Sequence, residues 1–560
     1  MIPPRVLVIG IDGLNLDLIF RLLPADTLPT LHSLMAKGAV GDLRSVFPTH
    51  SAAAWASFIT GQTPAAHGIF DFTVRLPDGH YRHAKPDPTQ TLWHRLGEQG
   101  FRVGIFNFPV TFPPDAVNGW LVSGMLSPDV QRFAYPPTLA DEINHAFPDY
   151  QLDVEWLRYE NRPADLLRAL TAMTRQRGEV ARYLLKREPL DFFAIAFIAT
   201  DRAQHALWRF LDAAHPFYDD KEAVALLPAI HEFYRSLDTA IASLMEMASP
   251  ETLVILLSDH GFQAAAWQFH ANDWLSKQGW LKFKPSAGKL ERWMRRLDTP
   301  RLRSLRKRLF TDISRHVPAF TPGVTIDWPR TRAFCPWNFH QGIRINVQGR
   351  DPYGVVGPGD EYENLREEIA IGLQQLRFPE RGEAVVAAVF RREELYEGPY
   401  LEAMPDIIFD LRPNFAPGIH RQTLFEATGW VSGDHSSTGF VLLAGTGVSP
   451  GKIEAARLID LAPTVLHAFG IPIASTIQGK PLRNSSSERN SVTVVPSSSG
   501  RNSGTVVPSS SDIERAANHV RDTVKSAALP FAIAETPPSA ELSSQEEGQM
   551  LERLRNLGYL

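Results

Sequence analysis

Short apolar runs recur along the chain, each closed by polar or glycine residues. They are VLVIGI at Val6–Ile11, RVGIF at Arg102–Phe106, FFAIAFI at Phe192–Ile198, LVILL at Leu253–Leu257 and FVLLA at Phe440–Ala444. Each has the length of a strand, and near-continuous rather than alternating apolarity marks strands buried on both faces. Helical patterns lie between them. Ile230, Phe233, Leu237, Ile241 and Leu244 form an apolar stripe of helical period, and Pro163–Lys186 is long and amphipathic. This alternation predicts an α/β fold, a mostly parallel central sheet with helices on both faces. In such sheets chemistry collects at the carboxyl ends of the strands.

The regularity breaks in three places. Residues 281–327 hold eight Lys/Arg between Arg292 and Arg308 and read as a helical cap insertion with a solvated basic face; the alternative is a patch for an anionic substrate or partner. Tyr353–Gln422 reads as a small accessory lobe. After Leu482, RNSVTVVPSSS (Arg489–Ser499) is followed by RNSGTVVPSSS (Arg501–Ser511). Two Ser/Pro-rich copies cannot bury a face, so 484–512 is expected to be a disordered linker between a main domain at 1–483 and a tail at 513–560. In the tail, Ser543 and Glu546 resemble a capping box opening a helix with Met550, Leu551, Leu554 and Leu557 on one side. That helix is expected either to dock on the main domain or to bind a partner.

Composition narrows the function. With 560 residues, 44% hydrophobic and 21% charged, the chain is of ordinary globular type, and a net charge of −5 argues against a nucleic-acid-binding surface. A single cysteine, Cys335, excludes an internal disulfide or a cysteine-built zinc cluster and favours a reducing compartment. The first residues lack the pattern of a signal peptide, and no window is long and apolar enough to span a membrane. The expectation is a soluble, cytoplasmic protein.

Acidic and imidazole side chains cluster just beyond the predicted strands. Asp12 lies in IGIDG; Asp201 and His205 stand four apart in DRAQH, a spacing that puts both on one helix face; Asp259 and His260, in SDHG, come just after LVILL; His435 precedes FVLLA. Taken singly, each reads as a cap, a surface pair or a turn. Together they place three Asp and three His where α/β sites form. Such oxygen and imidazole donors, without thiolate, suit divalent zinc, with manganese or iron as alternatives. Ser51, in FPTHSAAAWASFITG, opens a predicted helix, whose N-terminus favours an anion. Weaker candidates, Asn107, His67, His270 and Asn272, read first as structural.

The order of these motifs resembles the alkaline phosphatase superfamily, nearest its type I phosphodiesterase/nucleotide pyrophosphatase branch. That branch places a Thr or Ser nine residues before the T of a TG pair, then P-x-x-HGI, D-x-x-x-H, DHG and a late GDH. Here these are Ser51 before Thr60, Pro64–Ile69, Asp201–His205, Asp259–Gly261 and Gly433–His435. The resemblance runs from Val6 to Leu482. It implies two metal ions, one held by Asp201, His205 and His435, the other by Asp12, Asp259, His260 and the Ser51 oxygen. It further implies Ser51 as the nucleophile, ahead of Thr49. Two departures stand out. Phe72 occupies the place of an Asn that touches a phosphate oxygen in the nucleotide pyrophosphatases, and the C-x-P-x-R sequence of sulfatases is absent.

The expected activity is therefore metal-dependent hydrolysis of a small-molecule phosphate ester, through a phosphoseryl intermediate. The rivals are a phosphotransferase using the same serine and a non-catalytic interaction protein with a vestigial site.

Overall fold

The first strand becomes the middle of the sheet. The computed structural model describes residues 2–75, 80–127, 131–284, 326–336, 339–419, 423–482 and 544–557. The principal strands are β1 (Val6–Ile11), β2 (Ala39–Arg44), β3 (Val103–Phe108), β4 (Gly119–Ser123), β5 (Phe192–Phe197), β6 (Leu253–Leu257), β7 (Gly261–His270), β8 (Gly433–Ser436) and β9 (Thr438–Gly445). Across the ten-stranded sheet the order of its main strands is β2-β9-β6-β1-β5-β3-β4. Strands β6, β1, β5, β3 and β4 run parallel, while β9 is antiparallel to both β6 and β2. Every residue of β1, β3 and β5 is buried, so both faces of the sheet are covered, as their unbroken apolar runs require.

Register sets up the site. Ile11 pairs with Phe197 and Gly10 with Leu257, so three parallel strands end side by side. Whatever follows them in sequence must gather on one edge.

The main helices are α1 (Ser51–Thr60), α2 (Pro163–Arg187), α3 (Ala199–Leu211), α4 (Asp220–Met245) and α5 (Ser544–Asn556). All ten residues of α1 are buried, and its small side chains let it lie close against the sheet. In α4 the predicted stripe, Ile230, Phe233, Leu237, Ile241 and Leu244, is the buried one. Strand β7 turns away from the sheet to pair with β8, Asn414–Gly418 and Phe425–Ala427. It leads to a second apolar core between Phe269 and Phe415, which includes a four-stranded antiparallel sheet. That core draws on segments before Tyr353 as well as on the Tyr353–Gln422 stretch. The basic run of the predicted insertion and the Ser/Pro-rich repeats lie outside the described residues. All described residues fall in one compact unit, α5 included.

Candidate active site

Asp12 is the residue after β1, Asp201 and His205 lie in the first two turns of α3 after β5, and Asp259 and His260 follow β6. His435 is delivered by β8, which pairs with β7 so that Phe262 faces His435. Two glycines permit the approach. Gly13 has φ +75°, a conformation costly for other residues, and it donates its N–H to Asp259 Oδ1 at 3.3 Å. At Gly433 a Cβ would stand 2.4 Å from the Gln204 carbonyl, which would push β8 off α3.

All seven predicted side chains come together. Ser51 is the first residue of α1; its Oγ lies 3.1 Å from His260 Nε2 and 3.5 Å from Asp12 Oδ1. His260 Nε2 is also 3.4 Å from Asp12 Oδ1 and 3.3 Å from Asp259 Oδ2. In a second group, His435 Nε2 lies 3.0 Å from Asp201 Oδ1 and 3.1 Å from His205 Nε2. The rings of His260 and His435 stack at 3.8 Å and so join the groups. Asp12, Ser51, Asp201, Asp259 and His260 are fully buried, whereas His205 and His435 border the opening.

The hydrogen bonds around the imidazoles fix what they offer. His205 Nδ1 faces the Gly433 carbonyl at 2.9 Å, His435 Nδ1 the Thr49 carbonyl at 2.9 Å, and His260 Nδ1 the Gly261 carbonyl at 3.1 Å. A ring whose Nδ1–H meets a carbonyl presents its Nε2 lone pair, the tautomer that suits a metal ligand. Three such Nε2 atoms converge among three buried carboxylates. Burial and then the Asp201 charge raise Asp12 to about 7, against the Trp55 hydrogen bond; burial, Asp12 and Asp201 push Asp259 well above the usual carboxylate range. Burial works to lower His435, but the hydrogen bond and charge of Asp201 outweigh it and raise the ring to about 9. Burial, followed by the His435 charge, keeps His260 well below the usual imidazole range. Among the described residues, Asp259 Oδ2 makes no hydrogen bond. A buried carboxylate oxygen without a donor, beside imidazole nitrogens that face one another, fits cations held between these groups. The donor atoms of Asp201, His205 and His435, and those of Asp12, Asp259 and His260, lie within 4.8 Å of one another in each set, so each set can hold one ion.

Several contributors carried no recognised signal in the sequence. Trp55, one turn after Ser51 on α1, donates its indole N–H to Asp12 Oδ2 at 2.9 Å. Arg202 is buried and pairs with Asp201 at 2.5 Å and Asp153 at 3.1 Å. Burial works to raise Asp201, but the charge and hydrogen bond of His205, the hydrogen bond of His435 and then the charge of Arg202 hold it well below the carboxylate range. A cavity of about 390 Å³ opens over the site, lined among others by His50, Asp71, Trp156, Gln341 and His435. Thr49 is tied down by its backbone, its N–H on Gln341 Oε1 at 3.0 Å, and its buried hydroxyl has no hydrogen-bond partner among the described residues. The weaker candidates are structural: Asn107 lies inside β3 and binds the Ala196 carbonyl, His67 binds Ser57, His270 the Thr423 carbonyl, and Asn272 the backbone of Cys335.

The family model for type I phosphodiesterase / nucleotide pyrophosphatase matches residues 6–438. The chain belongs to this family. As a member it is an enzyme, a phosphoric ester hydrolase, rather than a protein with interaction as its sole role. In fold it is similar to phosphonoacetate hydrolase from Sinorhizobium meliloti 1021 bound to phosphonoformate, at 16% identity, with 83% of this chain and 96% of that chain covered and a TM-score of 0.50. The murine ectonucleotide pyrophosphatase / phosphodiesterase 5 matches at 12% identity over 84% of this chain and 96% of its own, with a TM-score of 0.45. No curated protein matches the chain. No helix among the described residues is long and apolar enough to cross a membrane.

Proposed function

We propose that this family member cleaves its phosphoric ester with Ser51 as nucleophile at a centre of two divalent cations, zinc being the best fit to the donor set. The supporting observation is the position of Ser51 Oγ. It is buried at a helix N-terminus, 3.1 Å from His260 Nε2 and 3.5 Å from Asp12 Oδ1. Asp201, His205 and His435 would hold one ion; Asp12, Asp259, His260 and the Ser51 oxygen would hold the other. Bound there, divalent cations supply the positive charge that favours a serine alkoxide and neutralises a departing oxygen. Ser51 Oγ bonds to phosphorus as the bond to the leaving alcohol breaks, giving a phosphoseryl ester that water then hydrolyses, restoring the hydroxyl. The N-terminal N–H groups of α1 add partial positive charge toward the transferred group.

Phe72, standing where the nucleotide enzymes carry an Asn, is buried against His50, with ring centroids 4.9 Å apart, and offers no polar contact to a phosphate. This favours a substrate other than a nucleotide diester. The test is metal analysis of the purified protein, then a panel of phosphate monoesters, diesters and phosphonates. Two equivalents of metal, with labelled phosphate trapped on Ser51, are expected. Label on Thr49 in a Ser51→Ala chain would overturn the assignment.

A further inference from the structure

The C-terminal helix α5 is separated from the rest of the described chain by some sixty residues of sequence, yet it is built into the mouth of the active site. Met550, Leu554 and Leu557 form one stripe and are each almost wholly buried. Polar contacts flank that stripe. Glu547 accepts from the Tyr81 N–H at 2.8 Å and pairs with His80 at 2.8 Å. Glu546 pairs with Arg132, and Arg553 donates to the Ser127 carbonyl. Asn556 donates to Glu155 at 3.1 Å. The helix thus grips three separate segments, one of which, Ser127, lies just past the carboxyl end of β4.

The last of these contacts reaches the chemistry. The indole N–H of Trp156 donates to the Leu557 carbonyl at 2.9 Å, across 401 residues of sequence. The same indole lies flat on His205, with centroids 5.4 Å apart and planes 8° from parallel. Both Trp156 and Leu557 line the cavity that His205 and His435 also line.

We infer that α5 is a wall of the active site, with Leu557 limiting the size of the group that can leave from the phosphorus. The inference rests on the reading of this cavity as the place where the ester binds. It makes the tail part of the enzyme rather than an appendage. A bulky side chain at the end of α5 narrows the cavity on the leaving-group side, and release of the helix uncovers the segments it holds.

The experiment uses the full chain. Hydrolysis of a compact aryl phosphate monoester and of a bis-aryl phosphate diester is compared between wild type and Leu557→Trp. The expected result is that kcat/KM for the diester falls about tenfold more than that for the monoester. An unchanged ratio in folded protein would overturn the assignment. A second variant, Leu554→Asp, places a charge in the buried stripe and is followed by backbone hydrogen exchange, which needs no turnover. Faster exchange at residues 80–83 and 155–159 supports the docked wall, and exchange identical to wild type refutes it. Should wild type cleave neither ester, the reading of the cavity fails, while the exchange measurement still decides whether α5 holds these segments.

Discussion

Trp55 shows how much of this site depends on single side chains with no chemistry of their own. Its indole N–H is the hydrogen-bond donor to Asp12 Oδ2, and it opposes the burial that raises this carboxyl to about 7. Trp55→Phe keeps a large aromatic ring over β1 but leaves that oxygen free to turn. Groups that orient a ligand typically matter about 10- to 100-fold, so metal titration should show a loss of that order with the fold intact. Ser51→Ala should behave in the opposite way. It removes the attacking oxygen but leaves three protein donors to that ion, so metal content should hold near wild type while turnover falls by about a thousandfold or more. A Ser51→Ala chain with wild-type turnover would remove Ser51 from the mechanism. The seven converging residues were legible in the sequence because each lies within a few residues of an element of unmistakable pattern. Trp55 and Arg202 were not, although Trp55 is four residues from Ser51 and Arg202 is adjacent to Asp201. Whether an indole or a guanidinium turns toward a carboxylate depends on how α1 and α3 lie across the sheet, which periodicity does not encode.

At the scale of elements, the strands that read most clearly are those with no polar face: β1 and β6 have the bounds expected of them, and β5 ends one residue early. The partners of the sheet's antiparallel part were harder to see. Strand β2, AVGDLR, alternates because only one of its faces is buried, and β9 was legible as a strand but not as one running against its neighbours. The fate of α5 was open between docking and partner binding because a stripe of Met and Leu says that something is covered but not what covers it. The answer involves His83, in the strand Tyr81–His83 that α5 touches. Burial, then the charge of Arg553 on α5, lowers His83 to about 4, and its Nε2 lacks a hydrogen-bond partner among the described residues. A histidine depressed when folded takes up protons more readily unfolded. Its contribution is therefore present above about pH 6.5 and is lost as pH falls from there toward 4. At pH 5 that loss is about 2 kcal/mol, from a shortfall of roughly 1.5 pH units. His83→Phe should shrink the difference in unfolding free energy between pH 7 and pH 5 by about that amount. Denaturant titrations at the two pH values, on wild type and variant, measure it, and an undiminished difference would show that His83 is charged in the folded state.

On the scale of the whole molecule, the site ties residue 12 to residue 435, and most of the sheet meets in it. Its acidic half is costly to assemble without cations. Asp12 and Asp259 are both buried, the charge of Asp12 adds to the burial that raises Asp259, and Asp259 Oδ2 has no donor among the described residues. Such strain at a functional site is offset when the group it awaits is bound, and a ligand present at a thousand times its dissociation constant stabilises by about 4 kcal/mol. Asp259→Asn separates the two effects. The buried carboxyl must take up a proton to fold at neutral pH, whereas the amide has no charge to neutralise and can donate to His260 Nε2, now 3.3 Å from Asp259 Oδ2. In chelator-stripped protein the variant should therefore be the more stable, by about 1–3 kcal/mol, the range for satisfying a buried polar group. With saturating divalent metal the order should reverse, because wild type gains from both ions and the variant from one at most. Thermal unfolding of the two proteins, with chelator and with metal, tests this directly. Curves that cross on metal addition are the signature of a fold that gives up stability to keep a cation cage open. If wild type is the more stable in both conditions, Asp259 is a structural carboxylate, and the second ion must be held by other groups.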